Sequence, residues 1–153
     1  MIYADPSFLF SFYAKDANTP EAVRVYAGDQ RRPLILTAWQ RFEFRNSVRL
    51  AIHKLRRAGQ AVPFQQGNVF KLMDEDLAAG RLKHEEPQWR DAFRLVEDIS
   101  AEHTESLGAA AVDLWHVASA ILLRADTFWT FDCDQYALAK AVGRFRRVPD
   151  LTV

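Results

Sequence analysis

The stretch "VDLWHVASAILLRADTFWTFDCDQYALAKAVG", Val112 to Gly143, decides how this chain folds. Its first half, with the "AAA" that precedes it, is apolar nearly all round, as a helix covered on several sides must be. "TFWTF" then reads as a buried strand. That strand ends in Asp132 and Asp134 with only Cys133 between them, and a helix from Asp132 to Val142 follows, stopped by Gly143. Burying an unpaired carboxylate costs several kcal/mol. Acids at the end of a core strand therefore cap a helix or converge with other acids on a cation, and the rest of the chain decides which.

The same alternation recurs through the rest of the chain. Met1 to Ala4 reads as a short strand, and "DPSFLFSFYAKD" as a helix with Asp5 as N-cap and Pro6 in its first turn, where a missing N–H costs nothing. "NTPEAVRVYAGDQ" repeats that start signal with Thr19 and Pro20. "LILT", residues 34–37, is a second buried strand, and Thr37 is placed to cap a long helix running to about Arg57. Helical patterns follow at about 65–79 and from Pro87 to about Glu105, with a short extended piece at 81–84. A last strand-like "FRRV" closes the series at 145–148. Short apolar strands alternating with helices imply an α/β domain: a central parallel sheet of four to five strands covered by helices on both faces, over residues 1–153 as one domain. Ligands of such sheets bind beyond the carboxyl ends of the strands.

At that edge the acids gather. Asp5 lies just past the first strand and Asp132 just past the strand "TFWT"; Glu43 falls in the second turn of the helix after "LILT"; Asp113 sits in the first turn of its helix beside Val112, Leu114 and Val117. Four carboxylates at one edge repel, raising one another's pKa values until a positive charge neutralises them. Oxygen-only ligands favour magnesium or manganese; no His/Cys spacing suits zinc. Such ions generate a hydroxide nucleophile and stabilise charge on a phosphate, so phosphodiester hydrolysis is the natural chemistry.

Each residue also has a plainer reading. Asp5 and Asp132 are good N-caps. Glu43 fits an ordinary helical surface, and Asp113 and Asp134 fit first-turn acids favoured by the helix dipole. His116, three residues after Asp113, reads first as a packing histidine. Cys133, flanked by acids, is a poor nucleophile. The hydroxyl of Thr130 serves either the site or the backbone. Arg41, Arg45, Arg49 and His53 recur every four residues and form one stripe, which fits a solvated face as well as an RNA track. Trp39, Trp115 and Trp129 read as core, although an exposed one could stack a base.

Composition narrows the class. With 153 residues, 49% of them apolar, the chain can bury a sizeable core. Its one cysteine excludes an internal disulfide and fits a reducing compartment. The N-terminus has no basic leader and no apolar run reaches membrane-spanning length, which leads to the expectation of a cytoplasmic protein with no membrane contact. The formal charge is zero, yet residues 24–57 are rich in arginine and lysine while 74–105 hold most of the acids, so a basic face for a polyanion remains. The many phenylalanines, Phe8, Phe10, Phe12, Phe42 and Phe44 among them, point to a homodimer with an apolar interface.

Taken together, "YADPSFLFSFY", the lone Glu43, and a D-x-x-H-x-A-x-A helix feeding a T-F-D strand end with Q-x-x-L-A and Gly beyond it make the chain resemble the PIN-domain family, especially toxin ribonucleases of the VapC type. The likeness runs over essentially the whole length. It implies a three-layer PIN-like fold and RNA cleavage dependent on magnesium or manganese, with Asp5, Glu43, Asp113 and Asp132 holding the metal. Thr130 and Ser7 would be supporting hydroxyls and Asp134 a further acid. It also implies a homodimer and a cognate antitoxin that blocks the acidic pocket. Two departures bear on substrate handling: Pro6 stands where many relatives have threonine, and "GAAAVD" replaces an arginine-containing approach to the third acid. A D-x-D phosphatase of the haloacid dehalogenase type places its motif after the first strand, not a late one. A receiver domain needs an adjacent acid pair after strand one and a late lysine, and "ADPS" and "FRRVPD" supply neither. The remaining rival is a metal-free PIN-like module that binds RNA or protein.

Overall fold

The structure, a computed structural model, describes residues 1–151. Four strands, β1 (Ile2–Ala4), β2 (Leu34–Leu36), β3 (Leu82–His84) and β4 (Thr127–Trp129), form one sheet in the order β3-β2-β1-β4, with every neighbouring pair parallel. Between them run α1 (Pro6–Tyr13), α2 (Thr19–Gly28), α3 (Ala38–Arg57), α4 (Gln66–Ala78), α5 (Trp89–Leu107) and α6 (Ala111–Leu122), with α7 (Cys133–Val142) after β4. The chain moves outward from β1 through β2 to β3 and then returns to the other side of β1 for β4. The order therefore reverses at β1, which opens a crevice at the carboxyl ends of β1 and β4.

Alternation along each strand builds two cores. Ile2, Ala4, Leu34, Leu36 and Trp129 face α1 to α4, where they pack with Phe8, Leu9, Phe44 and Met73. Tyr3, Ile35 and Phe128 point the other way, onto Ile99, Leu114, Val117 and Leu138 of α5 to α7. A strand buried on both faces must be apolar throughout, which is why "IYA", "LIL" and "TFW" carry no polar alternation.

Four local expectations change, the first being Trp39, read as core but exposed at the start of α3. The stretch 145–148 makes only a single parallel bridge, Thr127 to Arg147, and is not a fifth strand. Phe145 and Val148 pack against the second core while Arg144, Arg146 and Arg147 stay exposed, and the ladder does not extend beyond that bridge. Thr19 is the first residue of α2 rather than its cap, because its Oγ1 donates backward to the carbonyls of Ser11 (2.7 Å) and Ala14 (3.0 Å) and stitches α2 to the end of α1. Of the five phenylalanines singled out for an interface, Phe8 and Phe44 are fully buried and Phe10 and Phe12 pack against the first core; Phe42 alone is exposed.

Candidate active site

Asp5 closes β1 and opens α1. Its N–H still donates to the Trp129 carbonyl across the sheet (2.9 Å), while its side chain accepts from Phe8 N (2.9 Å) as the α1 cap. Two hydroxyls complete its shell: Ser7 Oγ donates to Oδ1 (2.6 Å) and Thr130 Oγ1 to Oδ2 (2.7 Å). The same hydroxyls accept from the loop after β4, Ser7 Oγ from Phe131 N and Thr130 Oγ1 from Asp132 N, both at 2.9 Å. Ser7 and Thr130 thereby brace the ends of β1 and β4 against each other across the crevice. Burial pushes the Asp5 carboxyl above its ordinary range, and the hydrogen bonds from Ser7, Phe8 and Thr130 offset part of that rise.

Asp132 caps α7, its Oδ1 accepting from the backbone of Asp134 and Gln135 at 2.9 Å each. Oδ2 has no hydrogen-bond partner among the described residues. Asp113, in the first turn of α6, is raised by burial and next by the negative charge of Asp132. Gln135 ties the two helices together by donating from Nε2 to the Asp113 carbonyl (3.1 Å). Glu43, in the second turn of α3, meets His116 Nε2 through Oε2 at 2.8 Å, and His116 Nδ1 meets the Tyr3 hydroxyl at 2.9 Å. Burial, then the Asp5 charge, hold the Tyr3 phenol well above its ordinary range, so it keeps its proton. An ionised carboxylate only accepts, so the contact to Glu43 is a donation from His116 Nε2, with Nδ1 facing the Tyr3 hydroxyl.

Asp5, Ser7, Glu43, Asp113 and Asp132 line one cleft of about 490 Å³, with His116, Gln135, Asp16, Ser47 and Lys54 also on its wall. Thr130 lies behind Asp5, fully buried. Asp134 is exposed and off the cleft; it reaches the site only as an added negative charge that further raises Asp113. The histidine read as packing is buried, hydrogen-bonded at both ring nitrogens and seated on the cleft wall, where it orients Glu43. Lys54 had a sequence signal, three turns after Glu43 on one helix face, that the arginine stripe obscured. The stripe itself divides. Arg41 and Arg45 both pair with Asp74 of α4, at 2.7 Å and 3.1 Å, so the first half of the stripe clasps two helices instead of offering charge to a ligand.

The donor set is chemically suited to a hard divalent cation: oxygen only, drawn from carboxylates, two of which resist ionisation where they stand. Among the described residues no three His, Cys, Asp or Glu side chains stand close enough to hold an ion on their own.

No family model and no curated protein matches this chain. Solved structures do. VapC20 of Mycobacterium tuberculosis, described as a Sarcin-Ricin loop cleaving toxin, superposes with a TM-score of 0.65 at 17% identity, covering 97% of this chain and 100% of that one. FitAcB from Neisseria gonorrhoeae gives 0.56 at 19% identity over 92% and 94%. At such identities the likeness is one of fold, and the chain has the α/β, PIN-like fold of these structures.

Proposed function

We propose that this chain is a cytoplasmic, divalent-metal-dependent endoribonuclease, the toxin of a toxin–antitoxin pair, working as one PIN-like domain over residues 1–153. The observation that carries this reading is the lining of a single cleft by Asp5, Glu43, Asp113 and Asp132 at the carboxyl edge where β1 meets β4. The fold shared with a Sarcin-Ricin loop cleaving toxin points the same way. No helix among the described residues is long and apolar enough to cross a membrane.

Asp5, Glu43, Asp113 and Asp132 would hold magnesium or manganese. When bound, such an ion supplies Lewis-acid stabilisation of charge developing on a phosphodiester and lowers the pKa of an attacking water. The chain's own residues do the rest. Ser7 and Thr130 fix Asp5, the hydrogen bonds of Asp132 to α7 fix its Oδ1, and His116 fixes Glu43, so three of the acids are held before a ligand arrives. Lys54 on the cleft wall brings positive charge to the phosphate chain. The one thiol, Cys133, is exposed and outside the cleft, so the reaction needs no covalent intermediate on it. An antitoxin that inserts a cationic side chain among these acids would block them, and the exposed rings of Trp39, Phe42, Trp89 and Phe93 support a homodimer.

A mixed RNA pool incubated with the protein and manganese tests the reading, with Asp5→Ala and Asp132→Ala beside it. Loss of one ligand is expected to remove activity by about a hundredfold or more. The spacing of the carboxylates favours one rival, the metal-free binding module. Cleavage no better than the variants' would make that rival the better reading, and cleavage undiminished in excess EDTA would overturn the metal-dependent assignment.

A further inference from the structure

We propose that a cationic hollow on the C-terminal half of α3 is a second binding site for RNA backbone phosphate, reached by a strand leaving the acidic cleft. The inference rests on the ribonuclease reading. Arg49, His53, Arg56 and Arg57, with Ile52 and Gln66, line a hollow of about 420 Å³ between the end of α3 and the start of α4. All four basic side chains are exposed, and no ion pair among the described residues engages Arg49, Arg56 or Arg57. The contrast with the first half of the same stripe is sharp, because Arg41 and Arg45 are neutralised by Asp74. Positive charge at the end of a helix is favoured by the dipole. That alone explains Arg56 and Arg57, but not Arg49 two turns earlier, whose guanidinium lies 5.3 Å from the Phe70 ring centroid and is held at the hollow by α4.

The path between the two sites is built into α3. Glu43, Ser47 and Lys54 line the cleft, while Arg57, one turn beyond Lys54 and its neighbour on the helix surface, lines the hollow. Glu43 and Arg57 are about 20 Å apart along the axis, so a single strand cut at the acids would cross Lys54 and reach Arg57. An acidic cleft repels a polyanion, and cations outside it supply the attraction that the cutting centre lacks.

The test uses the full-length protein and a fluorescently labelled, fully 2′-O-methylated 12-nucleotide RNA, which resists cleavage, with binding followed by anisotropy from 50 to 300 mM KCl without added metal. Arg56→Gln/Arg57→Gln is expected to weaken binding about fivefold to tenfold at low salt and to reduce the slope of log K against log salt by about 1 to 1.5, two phosphate contacts at roughly 0.7 each. Lys140→Gln/Arg144→Gln, at the far end of α7, removes the same charge and should leave the slope unchanged. Equal slopes for wild type and Arg56→Gln/Arg57→Gln, with unaltered melting, overturn the proposal, as does absence of RNA binding by the wild type. An acidic 12-residue glutamate peptide is titrated in parallel: if its binding depends on Arg56 and Arg57 and that of RNA does not, the hollow serves an acidic protein and the proposal also falls. Cleavage of unmodified RNA is scored separately. Activity with an unchanged slope removes only the subsite, and the expected slope change without activity removes only the nuclease reading.

Discussion

Asp113 shows how a site residue costs the fold that carries it. Burial and the Asp132 charge raise its carboxyl above the ordinary value, so the native state binds its proton more tightly than the unfolded chain does. Below the ordinary carboxylate range both states are protonated and nothing is lost. As pH rises through the window between the ordinary and the raised value, the native state must accept a charge it disfavours, and stability falls. Asp113→Asn is therefore expected to melt higher than wild type at pH 7, by about 2–4 °C for each 1 kcal/mol recovered, and to lose that advantage as pH is brought down toward 3. Melts across this range, with and without manganese, check it; an Asn variant that melts lower at pH 7, or keeps the full manganese-induced shift, would refute the role. The neighbourhood of Asp113 was legible because its apolar company is local in sequence. His116 was not, since its meaning depends on Tyr3, 113 residues away, and on Glu43, 73 residues away. A helix face reveals burial but not the hydroxyl that meets a ring nitrogen.

At the scale of elements, the start of α3 ties the sheet to the site. Thr37 and Gln40 form a reciprocal cap, Thr37 Oγ1 accepting from Gln40 N (3.0 Å) and Gln40 Oε1 from Thr37 N (2.7 Å). The buried Gln40 side chain also donates from Nε2 to the Ala4 carbonyl (2.7 Å), the last of β1 before Asp5. One glutamine thus orients the helix that carries Glu43 and steadies the strand that presents Asp5. Gln40→Leu would leave the Thr37 N–H and the Ala4 carbonyl buried without that partner, and is expected to cost about 2–4 kcal/mol in urea unfolding. A loss below about 1 kcal/mol would show that water or backbone shifts replace it. Thr37 was readable as a cap from its place before a long periodic run. The bond from Gln40 to Ala4 was not, because nothing local pairs β1 with α3. The clasp of Arg41 and Arg45 on Asp74 escaped for the same reason: charge spacing on one helix does not name a partner 29 to 33 residues on. The strand "FRRV" failed differently: its two apolar residues stand three apart and so do not alternate, and both pack on the second core with only a single bridge to β4.

Over the whole molecule, the abundant aromatics divide between core and one outer patch. Phenylalanines near the N-terminus fill the first core, as Phe8 does between Trp129 and Phe131 at ring distances of 4.9 and 5.5 Å. The excess appears instead where the starts of α3 and α5 meet α6. Trp39, Phe42, Trp89 and Phe93 are 36%, 59%, 53% and 56% exposed, and their rings touch one another or Trp115 at 4.9 to 6.3 Å. A contiguous aromatic surface of this kind is enriched at protein interfaces and is costly to leave in water. Its residues share helices with the cleft, Phe42 preceding Glu43 on α3 and Trp115 falling between Asp113 and His116 on α6. A second copy related by a two-fold axis would bury the patch against itself and set two acidic clefts beside one seam. Light scattering at micromolar concentration is expected to give twice the chain mass for wild type and a single chain for Phe42→Ser/Phe93→Ser, with secondary structure retained, since both side chains are more than half exposed. A monomeric wild type would remove the dimer; a variant that stays dimeric would move the interface elsewhere. If the substitutions leave the mass unchanged but weaken RNA binding, the rings are stacking bases, and the patch belongs to the substrate rather than to a second copy.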